Sequence, residues 1–452
     1  MKFKQIFIFI LLIINSLNAF SQIVDAAYKA NQPKENLPFS RFGLGSLYPQ
    51  YTIASAGMGG LTAIYRDPFI YNPQNPAALS SLKATAFEVG FYGKNTTVTD
   101  SKKQSSSAWA GNLNHIALGF PTYSVINEVY DRKPRQVRWG MGLSLMPFNN
   151  VGYNISTSSK APNTDTVNVL SYYLGSGGTY RAMWGNGVSY KGLSAGVNLG
   201  YIFGKMNYIR QLDLGSNLLV PYADYFEDYY TMNGLTWNAG LQYDVILDPK
   251  SKYGDKGGRK HLVFGAYGNP SSSFKTISGS YYRRVGVTTD TISTSKDIAG
   301  TGKLPNEFTL GVSYENALKF RFGVEYKASN WSDYRNDARR ETLKDASQFA
   351  IGTEFILNKS KIKTDEEKVR YRLGFRTGKD PRSLDNEQLN HQTFSAGMCF
   401  PMRVGRGSQI SFLSLGLEYD KLGTTKLNEN AFRILVGFTL NDNTWFLKRK
   451  IE

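Results

Sequence analysis

Residues able to do chemistry are few and scattered in this chain. The three histidines, His115, His261 and His391, stand far apart without metal-ligand spacing, and the single cysteine, Cys399, has no partner for an internal disulfide. Gly175-Ser176-Gly177-Gly178 is glycine-rich but lacks the lysine of a phosphate-binding loop, and it reads as strand or loop. No metal, cofactor or catalytic residue is expected, and the chain does not read as an enzyme; a Ser, His and acid set assembled only by the fold would not show in sequence. What remains is charge. Arg370, Arg372 and Arg376 fall on one face of an alternating segment, where they would guide an anionic substrate, ion-pair with an enclosed segment or sit in solvent. Tyr222, Asp224, Tyr225, Phe226, Glu227, Asp228 and Tyr229 form an acidic and aromatic cluster. It suits partner binding, ligand capture or an aromatic girdle.

The elements that must carry these residues are strands. Phe320, Phe322, Val324, Tyr326 and Ala328 alternate with Lys319, Arg321, Gly323, Glu325 and Lys327; Val369, Tyr371, Leu373 and Phe375 alternate with the arginines and Gly374. Phe432, Ile434, Val436, Phe438 and Leu440 repeat the pattern near the C-terminus. A strict period of two requires unlike environments on the two faces of a strand. A soluble sandwich and a membrane barrel both provide that. Tyrosine and phenylalanine total 56, and many close a strand, as Tyr314, Tyr326, Phe400 and Tyr419 do, which suits aromatic girdles at membrane interfaces. Glycine recurs on the polar face at Gly311, Gly323, Gly352, Gly374, Gly397, Gly416 and Gly437, leaving room for a plug or a passage.

About fourteen such segments are expected, near 84–97, 107–120, 136–150, 173–190, 192–207, 230–247, 259–282, 305–314, 318–330, 347–356, 369–377, 391–401, 409–420 and 429–440. The fold class is therefore all-β, an antiparallel outer-membrane barrel. Tight connections at Lys191 and Glu315 to Ala317 would be periplasmic, and long ones near 208–229, 283–304 and 331–346 extracellular. The connections near 121–135 and 357–368 are long for periplasmic turns.

Lys2 and Lys4, an apolar run from Ile6 to Ile14 and the small residues Ala19 and Ser21 make residues 1–21 a secretory signal, with cleavage expected before Gln22. No later apolar run reaches the roughly 18 residues of a spanning helix. Net charge is +17, or +15 without Lys2 and Lys4. In an exported barrel such a balance points to outer-membrane lipid and acidic lipopolysaccharide headgroups rather than nucleic acid.

Residues 22–83 do not alternate. Pro33, Pro38, Pro49, Pro68, Pro73 and Pro76, with several glycines, indicate compact irregular backbone. At membrane depth such backbone must be enclosed by protein, which makes an N-terminal plug inside a barrel of residues 84–452 the expected arrangement. A periplasmic tail is the alternative.

The motifs here resemble the outer-membrane long-chain fatty acid and hydrocarbon transporters of the FadL/TodX type. The matching residues are Ala56 to Gly59, Asp67 and Asn75-Pro76-Ala77, with Ala78 where that family has glycine. Pro147-Phe148 followed by Tyr153 is similar to the family's segment at the outer end of the third strand, with Asn149 replacing a glycine, and Thr444 to Lys450 resembles the ending of one branch of these barrels. The resemblance implies uptake of a hydrophobic or amphipathic small molecule through a plugged lumen with lateral release. It makes Asn75, Pro76, Ala77, Pro147, Phe148 and Tyr153 the ligand-binding or gating candidates. Pro147 cannot donate to a ladder, so it would mark a break in pairing or simply end its strand. The departures at Ala78 and Asn149 leave a rival open: a barrel that does not transport, serving as a subunit of a larger outer-membrane complex for protein export or barrel assembly.

Overall fold

The computed structural model describes residues 33, 35–132, 135–160, 168–214, 222–248, 260–285, 289–316, 319–356, 369–403 and 410–445. The expected signal, the connection at 357–368 and the ending beyond Trp445 lie outside these.

Fourteen antiparallel strands close into one barrel. They are β1 (Thr85–Asp100), β2 (Ser105–Pro121), β3 (Val137–Asn150, continued by Tyr153–Lys160), β4 (Asn168–Tyr190), β5 (Leu193–Leu214), β6 (Tyr222–Ile246) and β7 (Lys260–Asn269 with Ser272–Val285). The second half has β8 (Thr289–Leu304 with Glu307–Asn316), β9 (Phe320–Ser329), β10 (Ala346–Ile356), β11 (Arg370–Leu384), β12 (Glu387–Arg403), β13 (Ile410–Gly423) and β14 (Leu427–Asp442). Closure is made by β14 on β1, in register from Leu427 opposite Asp100 to Asp442 opposite Thr85.

The apolar face of each strand points outward. Leu373 is 51% exposed while Arg372 beside it is 2% exposed, and Phe322, Phe432, Ile434 and Phe438 all face away from the barrel axis. A sandwich would bury these residues, so their exposure decides for a wall in lipid. Among the described residues no helix is long and apolar enough to cross a membrane.

Two expected extracellular loops are corrected. Residues 208–214, 222–229 and 289–304 are strand, continuing β5, β6 and β8 as long hairpins beyond the membrane level. The acidic and aromatic cluster thus lies on β6, where the Phe226 ring stacks on Tyr282 at 4.4 Å. Both faces of these extensions meet water or protein, so the period-two contrast that marks a membrane strand is missing there. The tight turn at Lys191 uses positive φ at Lys191 (48°) and Gly192 (89°), as a two-residue hairpin requires. The longer connection after β2 contains a helix, Val125–Asp131.

The N-terminal segment, 35–83, is irregular: a two-residue strand Ser46–Leu47, a turn of helix Ile53–Ala56 and two 3-10 turns, Pro38–Arg41 and Pro76–Ser81. Residues 51–65 and 70–80 are buried throughout.

Candidate functional site

Glycine decides how close that segment comes to the wall. Each of the fourteen strands turns a glycine inward against it, and a Cβ added at most of these positions would strike the segment. Ile53 lies against Gly90, Gly416 and Gly437; Gly57 to Gly59 lie over Gly352, Gly374 and Gly397; and Ile64 lies against Gly311 and Gly323. On the far side Ala63 abuts Gly265, Asn75 abuts Gly240, Pro76 abuts Gly196 and Gly187, Leu79 abuts Gly140 and Gly185, and Tyr71 abuts Gly119 and Gly142. The glycines are neighbours across the ladders, as Gly187, Gly196 and Gly240 are, and Gly323, Gly352 and Gly374. The result is a belt at which main chain meets main chain on β3, β4, β5, β7, β10, β11 and β12, while Ile53, Ile64, Tyr71 and Asn75 fill the glycine gaps on the other strands. Only residues without side chains permit that approach.

Wall charges hold the segment around this belt. Arg370 ion-pairs with Asp67, whose other oxygen accepts the Phe69 N–H at 2.9 Å. Arg372 pairs with Glu354 of β10 at 2.7 Å, within the wall. Arg376 bridges both, meeting Tyr51 of the segment and Glu418 of β13 at 3.1 Å, while the Tyr51 hydroxyl donates to Glu418 at 2.7 Å. Three wall carboxylates, not among the expected site residues, capture main-chain N–H groups. Glu325 accepts from Thr62 (2.9 Å) and Ile64 (3.0 Å), Glu88 from Tyr71 (2.5 Å) and Glu429 from Phe39 (2.9 Å). Such charge-assisted bonds are among the strong ones in a dry interior. Glu35 meets Lys94 at 2.8 Å together with the phenols of Tyr48 and Tyr92. Burial pushes its carboxyl up, but Lys94 and the phenols outweigh that and hold it down to about 2.

Asn75, Pro76 and Ala77 sit together under β4, β5 and β6. Asn75 caps the 3-10 turn by accepting from Ala77 N–H at 3.1 Å, and its amide donates to the Ala63 carbonyl at 2.6 Å. Pro147, Phe148 and Tyr153 lie elsewhere, at a seam. The ladder between β2 and β3 runs only from Pro121 opposite Gly140 to Ile116 opposite Leu145. Two residues later, at Pro147, β3 bulges and swings inward. Its freed edge is taken over by the N-terminal segment: Ser46 and Leu47 pair with Asn150 and Asn149, Tyr48 N–H donates to Phe148 O at 3.0 Å, and Leu37 N–H to Gly152 O at 2.6 Å. Tyr153 joins a buried cluster with Leu44, Tyr208, Trp331 and Leu343, which covers the outer side of the segment.

A model of the BamG family matches residues 4–452. The chain belongs to the BamG family. Solved structures similar to this BamG-family barrel include the toluene transporter TodX of Pseudomonas putida, at 16% identity over 88% of this chain and 99% of that one, with a TM-score of 0.51. The toluene transporter TbuX of Ralstonia pickettii gives 14% identity over 88% and 99%, TM-score 0.51, and a FadL homologue of Pseudomonas aeruginosa 11% over 89% and 100%, TM-score 0.53. No curated protein matches. The likeness is one of fold, and with the lipid-facing wall it makes this BamG-family member an outer-membrane β-barrel with a FadL-like fold.

Cavities lie beside the segment of this BamG-family barrel, among them a polar one of about 450 Å³ at Arg41, Tyr153, Asp228 and Arg339 in the outer hairpins. The one beside Phe148, lined by Met183, Ile202, Trp237, Leu304 and Trp331, has a volume of about 40 Å³. A larger one of about 300 Å³ lies outward of the belt and is strongly polar, with Glu35, Lys94, Arg376, His391, Asp420 and Arg433 among its walls. A hydrophobic ligand needs several hundred Å³ of mostly apolar room. None of these supplies it, whereas an open, mostly apolar space of about 500 Å³ lies at the seam among Ile116, Leu118, Leu143, Leu145, Leu199 and Leu235. Among the described residues no group of three or more His, Cys, Asp or Glu could hold a metal.

Proposed function

We propose that this BamG-family barrel is a plug-filled, non-transporting subunit of a larger outer-membrane complex for protein export or barrel assembly, with outer-membrane lipid and lipopolysaccharide as its surroundings. The observation that carries this reading is the glycine belt. A plug seated against an inward glycine on all fourteen strands, main chain on main chain at seven of them, and pinned by the buried Arg370–Asp67 pair, is built to stay. With the lumen filled, the surface left to work is the outside of the barrel and its long hairpins.

A second reading, uptake of a hydrophobic, fatty-acid-like molecule with lateral release, is favoured by one observation, the unpaired seam between β2 and β3 where Pro147 and Phe148 stand. The likeness of fold to TodX, TbuX and the FadL homologue fits it. On that reading Asn75, Pro76, Ala77, Pro147, Phe148 and Tyr153 would gate the seam.

Native affinity purification from membranes separates the two. A stoichiometric complex, with no uptake defect when the gene is deleted, is the expected result. Recovery of a lone barrel carrying bound fatty acid would overturn the first reading in favour of the second.

A further inference from the structure

The two edges of the seam are treated differently. β3 loses β2 beyond Leu145, but the N-terminal segment completes its edge with main-chain bonds. β2 loses β3 beyond Ile116 and, among the described residues, gains nothing on that side from 105 to 115. The Asp100 N–H to Gln104 O bond fixes which groups point toward β1. Alternation from that pair turns the N–H and C=O of Ser107, Trp109 and Gly111 away from β1, into the seam. The Leu113 N–H, next in the series, donates to its own neighbour Asn112 Oδ1 at 2.8 Å, as a donor deprived of a strand partner does.

The groups of Trp109 and Gly111 lie at membrane depth, while Ser107, in the row of Thr97 and Asn430, lies just beyond it. Trp109 is in the row of Asn95 and Phe432, and Gly111 in the row of Gly93 and Ile434; Phe432 and Ile434 face lipid. Lipid offers no hydrogen bonds, so an open edge there costs several kcal/mol per unsatisfied group unless another backbone covers it. Trp109 is 68% exposed, and a Cβ on Gly111 would meet only its β1 neighbours, so the approach is unobstructed.

We propose that the seam-facing edge of β2, from Ser107 to Gly111, is a β-augmentation site that accepts one extended segment of another outer-membrane chain. The occupant is a strand because the facing edge of the same seam is already completed by strand addition, through Ser46 and Leu47. Its residues on the side of Trp109 must be apolar, since they meet lipid, which makes alternate residues apolar along the segment. The proposal rests on the docking function and supplies its contact.

The test uses the full-length barrel in lipid nanodiscs and a biotinylated synthetic peptide alternating valine and threonine. Trp109→Pro removes one seam-facing N–H at an edge, where proline is tolerated, while Trp109→Ala keeps it. Expected is about a tenfold loss of peptide binding in Trp109→Pro and about a threefold change at most in Trp109→Ala, the worth of one hydrogen bond. Ser107→Pro, nearer the turn, replaces Trp109→Pro if that variant lacks the heat-modifiable migration of a folded barrel. In cells, a photocrosslinking residue at 107, 109 and 111 in turn should mark positions two residues apart in one partner segment. Equal binding by the proline and alanine variants, crosslinks to lipid alone, or crosslinks to a second copy of this chain would overturn the proposal. A native complex that survives Trp109→Pro overturns the edge and leaves the docking function standing. Loss of any complex, with peptide binding still sensitive to Trp109→Pro, does the reverse.

Discussion

At the belt the N-terminal segment touches the wall glycines through main chain and apolar side chains, whereas a few residues further out on the same strands it touches through long charged side chains around a cavity of about 300 Å³. Gly374 and Arg376 on β11, or Gly437 and Arg433 on β14, mark the change within one turn of the pleat. The dry level has no room to hydrate a broken contact, and the wet level does. Identical chemistry should therefore cost more at the belt than above it. Arg370→Ala sharpens this most, because it leaves Asp67, 2% exposed, as a lone buried charge. A loss of about 3–5 kcal/mol in barrel stability is expected, read as a fall in the temperature at which heat-modifiable migration is lost. Recovery in Arg370→Ala with Asp67→Ala would confirm that the unpaired charge was the cause. If the single variant is as stable as the parent, the buried site around Asp67 is not dry.

Gly374→Ala comes next. Its new methyl meets Gly59 N and the Met58 carbonyl carbon, both main chain, neither able to swing aside. About 1–3 kcal/mol is expected from the overpacking, together with faster protease cleavage of the segment. Gly93→Ala is the control, since nothing lies within 4 Å of its added Cβ. An equal effect at both positions would mean that strand propensity, not the belt, sets the cost.

How much of this was legible in the sequence follows the same division. The membrane imposes two environments on every residue pair, so the fourteen wall strands show as alternation, and their centres fall where the period of two places them. The outer parts of β5, β6 and β8 have no lipid on either side, and the signal stops with the bilayer. Gly323 and Gly374 could be read as small and inward-facing, but not as the seats of Ile64 and Gly59, because contacts hundreds of residues apart leave no periodic trace. Arg370 could be read as a lumen cation. Its partner Asp67, 303 residues away, could not. Glu88, Glu325 and Glu429 were silent for a different reason: they bind main-chain N–H groups, so no complementary residue type exists to betray them. Pro147 was legible as a residue that cannot donate, yet the sequence leaves open that its neighbours would be claimed by Ser46 and Leu47.

The wet level comes last, where Glu35→Gln keeps an acceptor for the Tyr48 and Tyr92 hydroxyls but loses the one facing Lys94; the cavity hydrates Lys94, so a cost of about 1–2 kcal/mol is expected. The more telling form of this experiment is in pH. Glu35 is held down to about 2 in the folded barrel against an ordinary value of 4.5. A carboxyl with a depressed folded pKa contributes stability that is fully present above its ordinary value and is lost as pH falls toward the folded one. Protection of the N-terminal segment from an acid-active protease should therefore be constant down to about pH 4.5 and decline between about 4.5 and 2. Glu35→Gln should flatten that decline and, because its neutral amide lacks the charge at every pH, should lower the neutral-pH value by about as much as the parent loses on acidification. A parent profile that stays flat to pH 2 would show that the contact at Lys94 is already water-screened, and would move the boundary between dry and wet levels inward from Glu35 to the belt itself.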